Sequence, residues 1–157
     1  QKSPFISPEI FKRFFKQPYK KIIDLAHDLE LDFIMHSCGQ IYEVMTDIIE
    51  IGVDVFEFDS PHMVGVDNFK KWAEERKVAF WLSSNIQTTF SLGTPEEVEE
   101  EIKTYIKKVG NNDGGLAIYE YIPSSTLRAP KENVRAQRKA TLKWGQYNED
   151  GNINWLS

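Results

Sequence analysis

The sequence holds a single cysteine, Cys38, among its 157 residues. No internal disulfide can form, so this usage points to a reducing, cytoplasmic compartment or leaves the thiol free for chemistry. No apolar run approaches the roughly 20 residues that a membrane span needs. The start, Gln1-Lys2-Ser3-Pro4-Phe5, lacks the hydrophobic region of a signal peptide and also lacks an initiating methionine. Positive charge is short as well: 19 Lys and Arg stand against 24 Asp and Glu, a net charge of −5. Nothing therefore favours nucleic acid or an anionic membrane as a partner. The Gly-rich phosphate loop, the nucleophile elbow and the Cys-x-x-Cys pair are all missing, which removes the enzyme classes that those motifs define.

What is present describes a soluble globular chain. Hydrophobic residues make up 41%, aromatic residues 13% and charged residues 27%, a composition that can bury a core. Residues 1–157 read as one region, with a polar tail over 146–157.

The order of elements is regular. Ser7-Pro8-Glu9 supplies a cap, a first-turn proline and a carboxylate at the positive helix end. A helix follows with Ile10, Phe11, Phe14 and Phe15 at helical spacing; Pro18 should kink or restart it before Ile22, Ile23, Leu25, Ala26 and Leu29. Short apolar runs predict strands over Phe33–Ser37, Val53–Phe58, Val78–Leu82 and Leu116–Tyr121. Helical patterns lie between them, around Ile41–Ile49, over Asn68–Arg76, from Thr94 to Gly110, and over Pro130–Trp144. The helix opened by Thr94-Pro95-Glu96-Glu97 and closed by Lys107-Lys108-Val109-Gly110 is the clearest of them. Helix, then strand–helix four times, implies an α/β fold with a parallel sheet. An open doubly wound sheet and part of a (β/α)₈ barrel both fit.

In either architecture the site lies beyond the carboxyl ends of the strands. The predicted strands end in His36-Ser37-Cys38, in Asp59-Ser60 with His62 close by, in Ser83-Ser84-Asn85, and in Tyr119-Glu120-Tyr121. Residues i and i+2 of a strand project to one side, so His36 and Cys38 could share a ligand such as Zn²⁺. The plainer alternative is a buried cysteine beside a hydrogen-bonded histidine. Asp59 is a candidate general acid or base, or a binder of a cationic group, against the alternative of capping the turn before Pro61. Asn85 is a candidate for orienting substrate. Glu120 is a candidate third metal ligand or acid, although strand alternation would set it opposite Tyr119 and Tyr121. His27 and the basic residues of the last helix read as solvated surface.

Several segments together carry a resemblance. They are Gln1; Ser7-Pro8-Glu9 with Phe11 before Pro18-Tyr19; His36-Ser37-Cys38-Gly39; Gly52-Val53-Asp54; Gly93-Thr94-Pro95-Glu96-Glu97-Val98; Gly114-Gly115; and Pro130-Lys131-Glu132-Asn133. In this order the chain resembles the C-terminal half of the uroporphyrinogen decarboxylase-like superfamily, which includes the cobalamin-dependent methyltransferases. The resemblance implies a (β/α)₈ TIM-type barrel of which this chain supplies roughly the last four units. Within the superfamily, His-x-Cys is similar to the methyltransferase branch, where it gives two zinc ligands and a later cysteine gives the third.

That branch implies zinc, a corrinoid carried by a partner protein, and methyl transfer to a thiol or other acceptor. Its metal ligands here would be His36, Cys38 and Glu120; Asp59, Asn85 and Tyr119 at the strand ends are the candidate catalytic residues. No second cysteine exists, so either Glu120 replaces it, or a ligand comes from elsewhere, or the metal site is lost. The alternatives are a decarboxylase of porphyrin biosynthesis without metal, in which Asp59 and the tyrosines handle a carboxylated small molecule, and a non-catalytic barrel fragment. The His-Gly element of true decarboxylases is absent. Four units and a start inside a family motif imply an incomplete barrel, closed by a missing N-terminal half or by self-association.

Overall fold

The computed structural model describes residues 3–75, 78–110, 114–120, 128–150 and 152–155. Four parallel strands lie in sequence order: β1 (Ile34–Ser37), β2 (Val55–Phe58), β3 (Ala79–Leu82) and β4 (Leu116–Ile118). Between and around them run α1 (Lys16–Asp28), α2 (Tyr42–Glu50), α3 (Val66–Glu74), the short α4 (Thr89–Leu92), α5 (Pro95–Lys108) and α6 (Lys131–Trp144). This is an α/β fold with helices alternating with parallel strands, as in part of a (β/α) barrel. No helix among the described residues is long and apolar enough to cross a membrane.

The first helical stretch shows how Pro18 acts. A turn over Pro8–Ile10, capped by the Ser7 hydroxyl, widens into a π-helical segment over Phe11–Phe15 before α1 begins. Proline has no N–H for the carbonyl four residues back, and its ring crowds that carbonyl, that of Phe14 here. The helix thus loosens just upstream of the proline and continues through it. At α5 the expected signals act together. Thr94 Oγ1 accepts from Glu97 N at 3.3 Å, and Glu97 Oε2 accepts from Thr94 N at 2.8 Å. This capping box satisfies two otherwise free N–H groups behind Pro95.

The register fixes the two faces of the sheet. Met35 pairs with Phe56 and Phe56 with Phe80, while His36 pairs with Glu57 and Glu57 with Trp81. Side chains alternate along a strand, so Phe56, Phe58, Phe80 and Leu82 share the face covered by helices, and all are fully buried. There Phe69 of α3 packs on Phe58 and Phe80 with ring centroids 5.2 and 4.8 Å away. Val44, Met45 and Ile48 of α2 and Val98, Ile102 and Tyr105 of α5 complete the core. Each large side chain buried here contributes about 1.5–3 kcal/mol. The other face carries Ile34, His36, Val55, Glu57, Trp81 and Ala117, all half-buried or exposed.

Two sequence expectations are corrected. The fourth strand ends at Ile118, with Tyr119 still donating its N–H to Leu82 O at 3.0 Å; Tyr121 lies outside the described residues. The tail from Gln146, which its polar composition suggests would hang loose, folds back: Tyr147 and Ile153 form an antiparallel bridge, Ile153 is 2% exposed, and Trp155 Nε1 donates to Trp144 O at 2.8 Å. The indole of Trp155 also meets Trp144 edge-on at 5.2 Å. Apolar residues inside an otherwise polar run overrode its composition.

Candidate active site

The polar residues converge at the carboxyl ends of β1, β2 and β4. His36 and Glu57 are register partners on the half-open face, and their Nδ1 and Oε2 lie 3.4 Å apart. Asp59 follows Glu57 by two residues and continues the same side of β2. His36 Nε2 lies 3.0 Å from Cys38 Sγ and 3.7 Å from Asp59 Oδ2, and Cys38 Sγ donates to Asp59 Oδ2 at 3.4 Å. The Tyr119 hydroxyl donates to Asp59 Oδ1, so both oxygens of this 6%-exposed carboxylate are engaged. Trp81 meets Tyr119 edge-on, with centroids 5.9 Å apart, and supports its ring.

The Cys38 thiol is pushed above its ordinary value, first by partial burial, then by the hydrogen bond to Asp59 and the charges of Asp59 and Glu57. The resting cluster is therefore a protonated thiol held between an imidazole and a carboxylate. His36, Cys38 and Asp59 also place their donor atoms within 4.8 Å of one another, a group that could coordinate a metal ion. The third member is Asp59, not Glu120. Glu120 is exposed and lines a surface groove with Arg138 and Leu142 on the α6 side of β4. The alternation that aims Tyr119 at Asp59 turns the next side chain away.

Asn85 is 2% exposed and oriented by the protein. Its backbone N donates to Glu101 Oε2 at 3.1 Å, its Oδ1 accepts from Gln87 N at 3.0 Å, and its Nδ2 faces His62 Nδ1. Ser83 and Ser84 are fully buried and serve the fold. Both hydroxyls and Ser84 N donate to Gln137 Oε1 of α6, while Gln137 Nε2 donates to Tyr119 O at 2.7 Å. Gln137 thus ties the end of β3 to the residue that holds Asp59. Sequence reasoning missed Gln137 and Glu57. Glu57 had a signal, the i, i+2 relation to Asp59 in a strand; Gln137 had none, being one polar residue in a polar helix.

An α/β fold with acid–base groups gathered at its strand ends defines an enzyme-type scaffold. The family model for uroporphyrinogen decarboxylase (URO-D) matches residues 2–119. The chain belongs to the uroporphyrinogen decarboxylase family. No curated protein and no solved structure matches it.

The family match corrects the functional expectation drawn from His-x-Cys. A zinc-dependent, corrinoid-linked methyltransferase is not supported: the matching family is that of a decarboxylase, and the proposed ligand Glu120 stands outside the cluster. The i, i+2 spacing does put His36 and Cys38 together, but proximity alone does not select methyl-transfer chemistry.

Proposed function

We propose that the chain carries the acid–base end of a decarboxylase site for a polycarboxylated small molecule of the uroporphyrinogen type, working without a metal. The observation that carries this reading is the Asp59 carboxylate, nearly buried and held on both oxygens by Tyr119 and Cys38 in a chain of the decarboxylase family. Loss of CO2 leaves the electron pair of the broken C–C bond on the substrate. A positive centre formed by protonating the substrate takes that pair up, and a second proton exchange restores neutrality. An oriented carboxylate stabilises such a positive centre with no reorganisation at the moment of reaction. The protonated Cys38 thiol and the His36 imidazole beside it stand where protons must be held and passed.

Barrel closure belongs to the same proposal. Among the described residues strands β1 and β4 each pair on one side only, and the half-open face leaves Ile34 48% exposed. Two copies related by an axis along the strands would set β4 of one beside β1 of the other, all eight strands parallel, and wall in the site. Sedimentation of the chain at twice its 18.2 kDa is the expected result; a monomer at all concentrations refutes self-closure.

The activity test is CO2 release from carboxyl-labelled uroporphyrinogen. Turnover is expected, with Asp59→Asn lowering kcat by about 100-fold or more and Tyr119→Phe by less. Chelator dialysis is expected to leave the rate unchanged. Full activity in folded Asp59→Asn protein, or loss on chelation restored by a cation, refutes the reading.

A further inference from the structure

The loop after β2 carries His62, which the chemistry above does not use. It follows Asp59 by three residues, in a 3₁₀ turn over Pro61–Met63, and its imidazole is exposed. The β3 loop reaches the same rim, since Ile86 N donates to Asp59 O at 3.2 Å. His62 therefore stands beside the proposed site, on the loop pair that frames it.

Its orientation is dictated by Asn85. An asparagine side chain can present either its oxygen or its NH2 to a neighbour, and here the choice is closed. The oxygen is taken by Gln87 N at 3.0 Å, so the NH2 must face His62 Nδ1. The Asn85 backbone is pinned as well: its N donates to Glu101 Oε2 at 3.1 Å, and its O accepts from Phe90 N at 2.9 Å. Glu101 in turn is fixed by the Tyr105 hydroxyl at 2.7 Å, from a side chain 1% exposed. A donor at Nδ1 makes that nitrogen the acceptor, so the ring proton sits on Nε2. Among the described residues that Nε2–H has no hydrogen-bond partner.

We propose that His62 is a recognition residue for a substrate carboxylate, its Nε2–H presented at the strand-end rim by Asn85, with Glu101 as a positioning residue behind. The ligand class rests on the decarboxylase reading above, because that substrate carries several carboxylates and only one of them reacts. An N–H donor suits an arm that is held and not transformed. It fixes the anion through a directional bond, away from the acid–base groups around Asp59.

The first measurement needs no activity. Long-range 1H–15N spectra of the 15N-histidine-labelled chain should show His62 as the Nε2–H tautomer, and uroporphyrin as a non-reacting polycarboxylate probe should shift the Nε2 resonance. Asn85→Asp, which puts an acceptor in place of the donor, should move the proton to Nδ1. The second measurement is steady-state: His62→Ala should raise KM by about 10- to 100-fold with kcat changed by less than about threefold. His62→Gln, which keeps an N–H donor at a similar reach, should recover most of that loss. An Nδ1–H tautomer in the native chain, an Nε2 resonance unmoved by saturating probe, or a fall in kcat at constant KM would each overturn the assignment. Absence of decarboxylation with the tautomer and the probe shift intact would sink the activity reading and leave this carboxylate site standing.

Discussion

Replacing Gln137 by leucine is the sharpest test of how the fold holds the site. Gln137 is 1% exposed and bonds four groups: Ser83 Oγ at 3.3 Å, Ser84 N at 3.0 Å, Ser84 Oγ at 2.5 Å and Tyr119 O at 2.7 Å. Leucine matches its volume closely, so no cavity confuses the result. The two serine hydroxyls can rotate toward other acceptors, but Ser84 N and Tyr119 O cannot move without the strand ends. Leaving the buried Ser84 N without a partner costs about 1–3 kcal/mol, and losing the hydrogen bond to Tyr119 O costs about 0.5–1.5 kcal/mol, giving roughly 2–4 kcal/mol together. Against a total stability of about 5–15 kcal/mol and a urea slope of about 1–3 kcal/mol/M, the midpoint should fall by about 1–3 M. Ser83→Ala removes only the longest of the four bonds and should cost less than about 1 kcal/mol. Gln137→Glu keeps the acceptor for the serines but turns a carboxyl oxygen toward Tyr119 O, so it should lie between the two. Urea unfolding followed by tryptophan fluorescence orders the three variants. A Gln137→Leu loss below 1 kcal/mol, or one no larger than that of Ser83→Ala, refutes the claim that this side chain clamps the ends of β3 and β4.

Two other outcomes are accessible by the same assay. Tyr105 ionises well above its ordinary value, through burial first and then the charge and hydrogen bond of Glu101; above pH ~10 the unfolded chain loses a proton that the native chain keeps, so stability falls as pH rises. Subtracting the Tyr105→Phe curve from the parent curve should isolate that alkaline fall, and parallel curves above pH 10 refute it. Ile153→Ala should cost about 2–4 kcal/mol, because the side chain is 2% exposed and packed in the core; a change near zero would show that the tail contributes no packing.

The alternation of strands and helices was legible because local rules agreed with the tertiary result. The Thr94 box, the glycine stops and the apolar runs each point to the element that forms. Asp59 and Tyr119 were legible as strand-end residues, and they meet. What was not legible depends on contacts between distant segments. Asp54 falls inside the predicted strand but precedes the observed one, and its Oδ2 accepts from Phe33 N at 2.7 Å and lies 2.8 Å from His27 Nε2. It joins α1 to the start of β2. Gly52, at φ +100°, lets that approach happen, since a Cβ there would lie 3.3 Å from the His27 ring. Neither residue carries a local signal for a partner more than twenty positions away.

The His36-x-Cys38 pair shows why a motif read alone can name the wrong chemistry. The i, i+2 spacing delivers an imidazole and a thiol to one point, and a cation site and a proton relay both begin there. Sheet register supplies the third group, a carboxylate that suits either. Pairing β1 with β2 sets Glu57 opposite His36 and carries Asp59 to within 3.4 Å of the sulfur. Two carboxylates beside a partly buried thiol favour the S–H form, whereas a metal ligand must give its proton up. Any cation at this point must therefore displace a proton that the surroundings hold in place. The decarboxylase family match, not the triad itself, supports the proposed reading, in which the cluster holds and passes protons around Asp59.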